Sequence, residues 1–290
     1  MHAEETQPSF LVRLGTLIRF SHTVFALPFA LVAMLVAARG VPAAAVFGWI
    51  LLSAVSARTL AMCFNRLIDW DIDKLNPRTE GRHKLVSKAQ AWTVLATSGL
   101  ATLWACHQLN FLCFALSPLM LFILCLYSVT KRFTPFSHLF LGLALAVAPM
   151  GAWVAVRASM LDFTPYVLAA AVLLWTFGFD LIYSTLDTEF DRAHGLFSFP
   201  SRFGIPAALR TAKLLHGAAA VGFLSFGWLA HLGAGYGFAC VITLGALSWE
   251  HRLASTLEPG RINQAFFQIN ALVSMTLLAG TFIDTVVKNQ

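Results

Sequence analysis

Apolar stretches long enough to cross a bilayer recur along the whole chain, and this feature excludes most folds at once. They run over about residues 20–39, 44–66, 89–106, 111–129, 136–156, 164–186, 207–230, 233–249 and 264–283. Each is near or above the ~17 residues a helix needs to span the hydrocarbon. Helix is the expected form, because it pairs every backbone N–H and C=O within its own segment and lipid offers no other partner. The alternating pattern of barrel strands is absent. Composition points the same way: 58% of the 290 residues are hydrophobic and 12% are charged, where a soluble domain carries roughly 25% charged residues. The expectation is an all-α membrane protein, a single domain over 1–290 built as a bundle of about nine transmembrane helices, with residues 1–16 as an N-terminal tail. The first stretch is expected to stay as a span, since no small-residue cleavage pattern follows a basic start.

Lys and Arg set the orientation. With nine crossings, Arg13, Arg19, Lys74, Arg78, Arg82, Lys131, Arg132, Arg192, Arg202 and Arg252 fall on one side, and Arg39, Arg157 and Lys288 on the other. The positive-inside bias then puts the N-terminus and the basic loops in the cytoplasm, under an inner or plasma membrane. Topology therefore accounts for the net charge of +6. Nucleic-acid binding is not expected, because the basic residues are spread over short loops without interleaved aromatics. Nothing in the sequence points to a protein partner. Cys63, Cys106, Cys113, Cys125 and Cys240 lie in or beside the spans without C-x-x-C spacing, and read as small packing residues.

Of 14 acidic residues, Asp69, Asp71, Asp73 and Glu80 crowd into one short segment and Asp180, Asp187, Glu189 and Asp191 into another. Asn65, Asp69 and Asp73 are spaced i, i+4, i+8 at the cytoplasmic end of the second span. Tyr183, Asp187 and Asp191 repeat the spacing at the end of the sixth, with Asp180 one turn above Tyr183. Residues so spaced share one face of a helix. Asp71 and Glu189 point off these faces. Carboxylates facing one cavity repel unless a cation neutralises them. Magnesium suits the task, since it takes one or two carboxylates together with substrate phosphates. The loops that follow, Asn76–Lys84 and Asp191–Gly204, and the turn Tyr127–Arg132, add Arg and Lys that suit phosphate, and the two loops read as a first and a second lid over a phosphate site. The parallel between the two halves suggests an internal duplication meeting at a shared site. A transporter would instead place its charges near the bilayer midplane and break its spans.

These segments resemble the UbiA superfamily of intramembrane aromatic prenyltransferases. The first signature, N-x-x-x-D-x-x-x-D with a following R-T-x-x-R, is met by Asn65, Asp69, Asp73, Arg78, Thr79 and Arg82. The second, D-x-x-Y-x-x-x-D-x-x-x-D, is met by Asp180, Tyr183, Asp187 and Asp191. The resemblance implies a helical bundle around a lipid-accessible cavity with its active site at the cytoplasmic side. It implies that Asn65, Asp69, Asp73, Asp187 and Asp191 carry a magnesium–diphosphate site. Arg78, Arg82, Lys131 and Arg132 then match basic positions near the diphosphate, with Arg58 one helix face inward. Asp180 and Tyr183 match positions lining the acceptor pocket. Ile18–Thr23, Lys131–Thr134 and His194–Gly204 look most like the branch that transfers a polyprenyl group from polyprenyl diphosphate to a hydroxylated aromatic acid in ubiquinone or menaquinone biosynthesis. The implied acceptors are 4-hydroxybenzoate or 1,4-dihydroxy-6-naphthoate. Haem, chlorophyll or ether-lipid tail transfer are alternatives within the superfamily. One departure stands out: the usual R-x-L-P-x-G after the first lid reads Arg82-His-Lys-Leu-Val-Ser.

Overall fold

A computed structural model describes residues 9–17, 23–76, 78–79, 81 and 84–288. Ile18–His22, Pro77, Glu80, Arg82 and His83, which figured in the sequence reading, lie outside the described residues. All regular structure among the described residues is helical. In chain order the helices are α1 (Phe10–Leu17), α2 (Thr23–Ala38), α3 (Ala44–Ile68), α4 (Trp70–Leu75), α5 (Lys88–Leu109), α6 (Phe111–Thr130) and α7 (Ser137–Arg157). They continue as α8 (Thr164–Ser184), α9 (Thr188–Ala193), α10 (Phe199–Phe203), α11 (Ile205–Leu229), α12 (Ala234–Ala254), α13 (Pro259–Gln264) and α14 (Asn270–Phe282). Among the described residues, 6 helices are long and apolar enough to cross a membrane, so the chain is a multi-pass membrane protein. They are α3, α6, α7, α8 with its extension to Ala193, α11, and the run Pro259–Val287 that contains α13 and α14. Helices α5 and α12 reach spanning length but are more polar, and α2 is shorter.

Two interruptions decide the shape of the end of the bundle that carries both acidic motifs. The spacing suggested one continuous helix through Asn65, Asp69 and Asp73, and another through Tyr183, Asp187 and Asp191. Instead α3 ends at Ile68, and Asp69 (φ −90°, ψ 8°) is the hinge to α4. Likewise α8 ends at Ser184, tightens into a 3₁₀ turn over Thr185–Asp187, and restarts as α9 from Asp187 (φ −105°, ψ 4°). Both hinge aspartates sit in the sparsely populated bridge region, where many active-site residues are found. The two halves thus share a backbone kink as well as a spacing. Backbone bonds still run across the first hinge, from Asp69 N–H to Asn65 O (3.0 Å) and from Asp73 N–H to Asp69 O (2.7 Å).

Helix α8 is the centre of the bundle, between α7 and α11; α2 packs on α7 and α14, and α12 on α11 and α14. Helices α3, α5 and α6 form a second group closed by α6 against α7. Lipid gives helices no hydrophobic reason to associate, so close packing must do it, and small residues allow the approach. A Cβ on Gly222 would lie 2.8 Å from Ala171 Cβ, and one on Gly178 would run into the His216 ring. The N-terminal segment read as a tail contains α1, whose Phe10, Leu14 and Leu17 pack with Leu67, Leu85, Val86 and Ala91. Ser87, which stands where the related signature has Gly, caps α5: it accepts from Gln90 N–H (3.1 Å), and its own N–H donates to Gln90 Oε1 (2.9 Å).

The eighth stretch, expected to end at 249, continues as helix to Ala254. Glu250 on this extension and Asn270 at the start of α14 are both 0% exposed. Asn270 Nδ2 donates to Glu250 Oε1 (3.0 Å) and to the carbonyls of Ala265 (3.4 Å) and Phe266 (3.1 Å), holding a π-helical turn over Ala265–Ile269. A buried polar group left without its partner costs about 1–3 kcal/mol. Asn270→Leu strands Glu250, and it is expected to lower thermal stability of the detergent-solubilised protein by that order; Glu250→Gln, which keeps an acceptor oxygen, is expected to lose less.

Candidate active site

Both acidic motifs line one cavity of about 730 Å³, walled mainly by α3, α6, α7 and α8. Most of its wall is apolar, with Ala57, Ala61, Met62, Ile123, Leu124, Leu141, Ala144 and Leu173 among its residues. Its ionisable residues are Arg58, Arg66, Asp69, Asp73, Arg78, Lys131, His138, Asp180, Asp187 and Asp191. Such a chamber suits a molecule with an ionic head and a hydrocarbon body.

In the first motif every carboxylate meets a cation. Arg66 Nη1 lies 2.6 Å from Asp73 Oδ2, and its Nη2 donates to Asn65 Oδ1. Lys131 Nζ lies 2.7 Å from Asp69 Oδ2, which also accepts from Asn65 Nδ2 at 3.3 Å. Arg132 Nη2 donates to the Ile68 carbonyl (2.7 Å) at the end of α3 and stands 3.8 Å from Asp69 Oδ1. That Asp69 Oδ1 is buried and accepts no hydrogen bond among the described residues. Buried charges of one sign are tolerated only when paired, and these lysine and arginine contacts supply the pairing.

The second motif is tied to the first lid. Arg78 Nη2 lies 2.6 Å from Asp187 Oδ2, and Asn76 Nδ2 donates to Asp187 Oδ1 at 3.3 Å. The Arg78 guanidinium also sits 4.9 Å over the Tyr183 ring. Thr79 Oγ1 donates to the Asp73 carbonyl (2.9 Å), so the same short segment grips both motifs. Among the described residues no three His, Cys, Asp or Glu side chains form a ready-made metal cluster. The oxygens available are nevertheless of the hard kind that magnesium prefers, and the unsatisfied Asp69 Oδ1 is one of them.

Deeper in the cavity the chemistry changes. Arg58 lies ten residues before the end of α3, about 15 Å along the helix axis. Its Nε is buried without a hydrogen-bond partner, and the residue forms no ion pair among the described residues. Tyr183 stacks on Phe266 (centroids 4.0 Å, 27°), and Phe266 in turn meets Phe25 and Phe179 edge-on. Asp180 Oδ2 is 2.6 Å from His138 Nδ1.

A profile of the UbiA prenyltransferase family matches residues 26–272. The chain belongs to this family. The motif resemblance is therefore borne out, and as a family member the chain is an enzyme, a prenyltransferase. A 4-hydroxybenzoate solanesyltransferase from Synechocystis sp. is 31% identical over 265 residues, covering 88% of this chain and 88% of its own. A 4-hydroxybenzoate octaprenyltransferase from Nitrosospira multiformis is 28% identical over 256 residues, covering 87% of each. The apo structure of a UbiA homologue from Aeropyrum pernix superposes with a TM-score of 0.82 at 33% identity, over 91% of this chain and 98% of that one. A UbiA homologue from Archaeoglobus fulgidus, solved bound to GPP and Mg2+, shares the fold with a TM-score of 0.70 at 18% identity, over 93% of this chain and 99% of that one.

Within this UbiA chamber Asn65, Asp69, Asp73, Arg58, Arg78, Lys131, Asp180, Tyr183, Asp187 and Asp191 all line the wall. Arg132 stands behind it on the Ile68 carbonyl, and Arg82 is outside the described residues. Asp71 and Glu189 are exposed, as their phase suggested. The hydrogen bond to Lys74, with Lys88 nearby, holds the Asp71 carboxyl below the usual carboxylate range. Sequence reasoning missed Arg66, which grips Asp73; its position beside Asn65 is the signal that could have found it. It also missed His138 and Phe266, which reach the site only through tertiary packing.

Proposed function

We propose that the protein catalyses magnesium-dependent transfer of a polyprenyl group from polyprenyl diphosphate to the ring of a hydroxylated aromatic acid, in respiratory quinone biosynthesis. Arg58 carries this reading. An unpaired guanidinium deep in a membrane chamber is costly and marks a binding site by default. A carboxylate is its natural bidentate partner. An acceptor bearing a carboxylate at one end satisfies Arg58 and presents its ring towards the aspartate motifs. The names of the relatives in Synechocystis and Nitrosospira support 4-hydroxybenzoate as one such acceptor; 1,4-dihydroxy-6-naphthoate meets the same requirement.

Magnesium bound with the diphosphate would supply Lewis-acid stabilisation of the leaving group. Asn65, Asp69, Asp73, Asp187 and Asp191 are the residues that would hold it. Arg78 and Lys131 exchange their carboxylates for phosphate oxygens when substrate enters, and Arg82 and Arg132 add charge around them. The allylic carbon–oxygen bond breaks with its electron pair going to the released diphosphate, an aromatic carbon bonds to the prenyl carbon, and the ring proton passes to that diphosphate, restoring the aromatic ring. The apolar wall excludes water from the allylic cation, and the faces of Tyr183 and Phe266 offer it cation–π stabilisation. Asp180 faces the acceptor hydroxyl. Reading α2, α5 and α12 as further crossings gives nine, with the N-terminus and both lids cytoplasmic and the chamber open to lipid for the prenyl tail.

Chelation tests the metal. EDTA is expected to abolish product formation by the purified protein, and added Mg2+ to restore it. Undiminished transfer in EDTA would refute the metal assignment.

A further inference from the structure

The imidazole of His138, at the start of α7, touches two parts of the site at once. Its Nδ1 lies 2.6 Å from Asp180 Oδ2, and its Nε2 lies 3.3 Å from the backbone nitrogen of Phe199. The Phe199 amide is the first of α10, one of the helix-start donors that have no partner inside their own helix. A backbone N–H can only donate, so Nε2 must be the accepting, unprotonated nitrogen. The ring proton then sits on Nδ1 and is donated to Asp180, which fixes both tautomer and carboxylate orientation. His138 is 5% exposed, so water does not compete strongly for either bond.

The Phe199 end of this contact belongs to the second lid, residues 194–204. Phe197 N–H donates to the Lys131 carbonyl (2.8 Å), and Phe136 packs against Phe199 and Phe203 at 6.1 Å. His138 is thus the point at which the lid's docking surface meets the acceptor end of the chamber.

We propose that His138 is a positioning residue: it orients the Asp180 carboxylate toward the acceptor and makes that orientation depend on the second lid being docked. The proposal rests on the functional reading above for the role of Asp180, but not for the docking of the lid. When the lid lifts, Nε2 loses its donor, the imidazole is free to turn, and Asp180 loses the bond that aims it. When the lid closes, the acceptor-facing carboxylate is set, and an acceptor held at Arg58 finds its hydroxyl partner in place.

Two substitutions separate the halves of the contact. In His138→Asn the amide nitrogen falls near the Nδ1 position, keeping a donor for Asp180 and losing the lid acceptor. In His138→Gln the amide oxygen falls near Nε2, keeping the lid acceptor and losing the donor. The full-length protein in lipid nanodiscs is assayed for kcat and KM toward both substrates and for hydrogen exchange at the Phe199 amide. His138→Gln is expected to lose roughly tenfold to a hundredfold in kcat/KM for the acceptor, the scale of one hydrogen bond to a charged group. Its KM for polyprenyl diphosphate and its Phe199 protection are expected to match the unmodified protein. His138→Asn is expected to reverse the pattern, with Phe199 exchange at least tenfold faster and a smaller loss on the acceptor side. A general packing defect would move both measures together in both variants, and either that result or two variants indistinguishable from the unmodified protein would overturn the proposal. If the unmodified protein prenylates no aromatic acid, the functional reading fails; exchange at Phe199 still decides the lid half, with equal protection in the two variants refuting it.

Discussion

Replacing Asp187 with alanine is expected to reduce prenyl transfer by at least 10²–10³-fold, the range found when one electrostatic contact to a developing charge is removed. Asp187 is at the hinge after α8 and holds both Arg78 and Asn76 of the first lid. In the proposed site its loss would remove an oxygen donor to the metal and diphosphate, and it unties Arg78 and Asn76 from α9. Asp69 is the counterpart at the first hinge, but its side chain is only 4% exposed and pairs with Lys131. Deleting one partner of a buried pair costs about 3–5 kcal/mol of stability, so Asp69→Asn is the cleaner test there. It keeps shape and neutralises the charge, and is expected to fall with Asp187→Ala in activity while remaining folded by thermal unfolding. Product formation is read by chromatography of the prenylated acid. Activity within a few-fold of the unmodified protein in either variant would remove these residues from the site.

Arg58→Leu carries the second large effect, and its sign differs between activity and stability. Losing one partner of a desolvated charge pair costs 2–5 kcal/mol of binding, so kcat/KM for a carboxylated acceptor is expected to fall on the order of 10²-fold or more. The KM for polyprenyl diphosphate is expected to stay unchanged. An acceptor without the carboxylate, such as a simple phenol, should be equally poor with both proteins. Stability is expected to hold or rise, because the guanidinium has no partner among the described residues and an unpaired charge in an apolar wall is unfavourable. A variant that loses stability while keeping its preference for carboxylated acceptors would show Arg58 to be structural.

The parts of the fold and site that were legible in the sequence are those set by local pattern. Apolar runs marked the helices because lipid demands backbone self-pairing. The repeated four-residue spacing marked Asn65, Asp69, Asp73, Asp187 and Asp191, which line one chamber, and left out Asp71 and Glu189, which are exposed. What was not legible depends on contacts between distant elements. The hinges at Asp69 and Asp187 break helices whose residues read as uninterrupted. The run Glu250-His251-Arg252 read as a loop, yet Asn270 donates to Glu250 Oε1 inside the bundle and α12 runs on to Ala254. His138 follows a basic turn with nothing local to mark it, and acquires its contacts only when α8 and α10 pack around it. Arg66, at the end of the second apolar run, was given no role by the spacing, whereas it closes the first motif from within.

The most direct test of the central claim is a reconstituted reaction: the purified protein in nanodiscs with Mg2+, a polyprenyl diphosphate and 4-hydroxybenzoate or 1,4-dihydroxy-6-naphthoate. One ring-prenylated acid is expected for each diphosphate released, with the new carbon–carbon bond identified by mass spectrometry and NMR. Diphosphate release without a prenylated aromatic acid, or transfer only to an acceptor that carries no carboxylate, would contradict that claim.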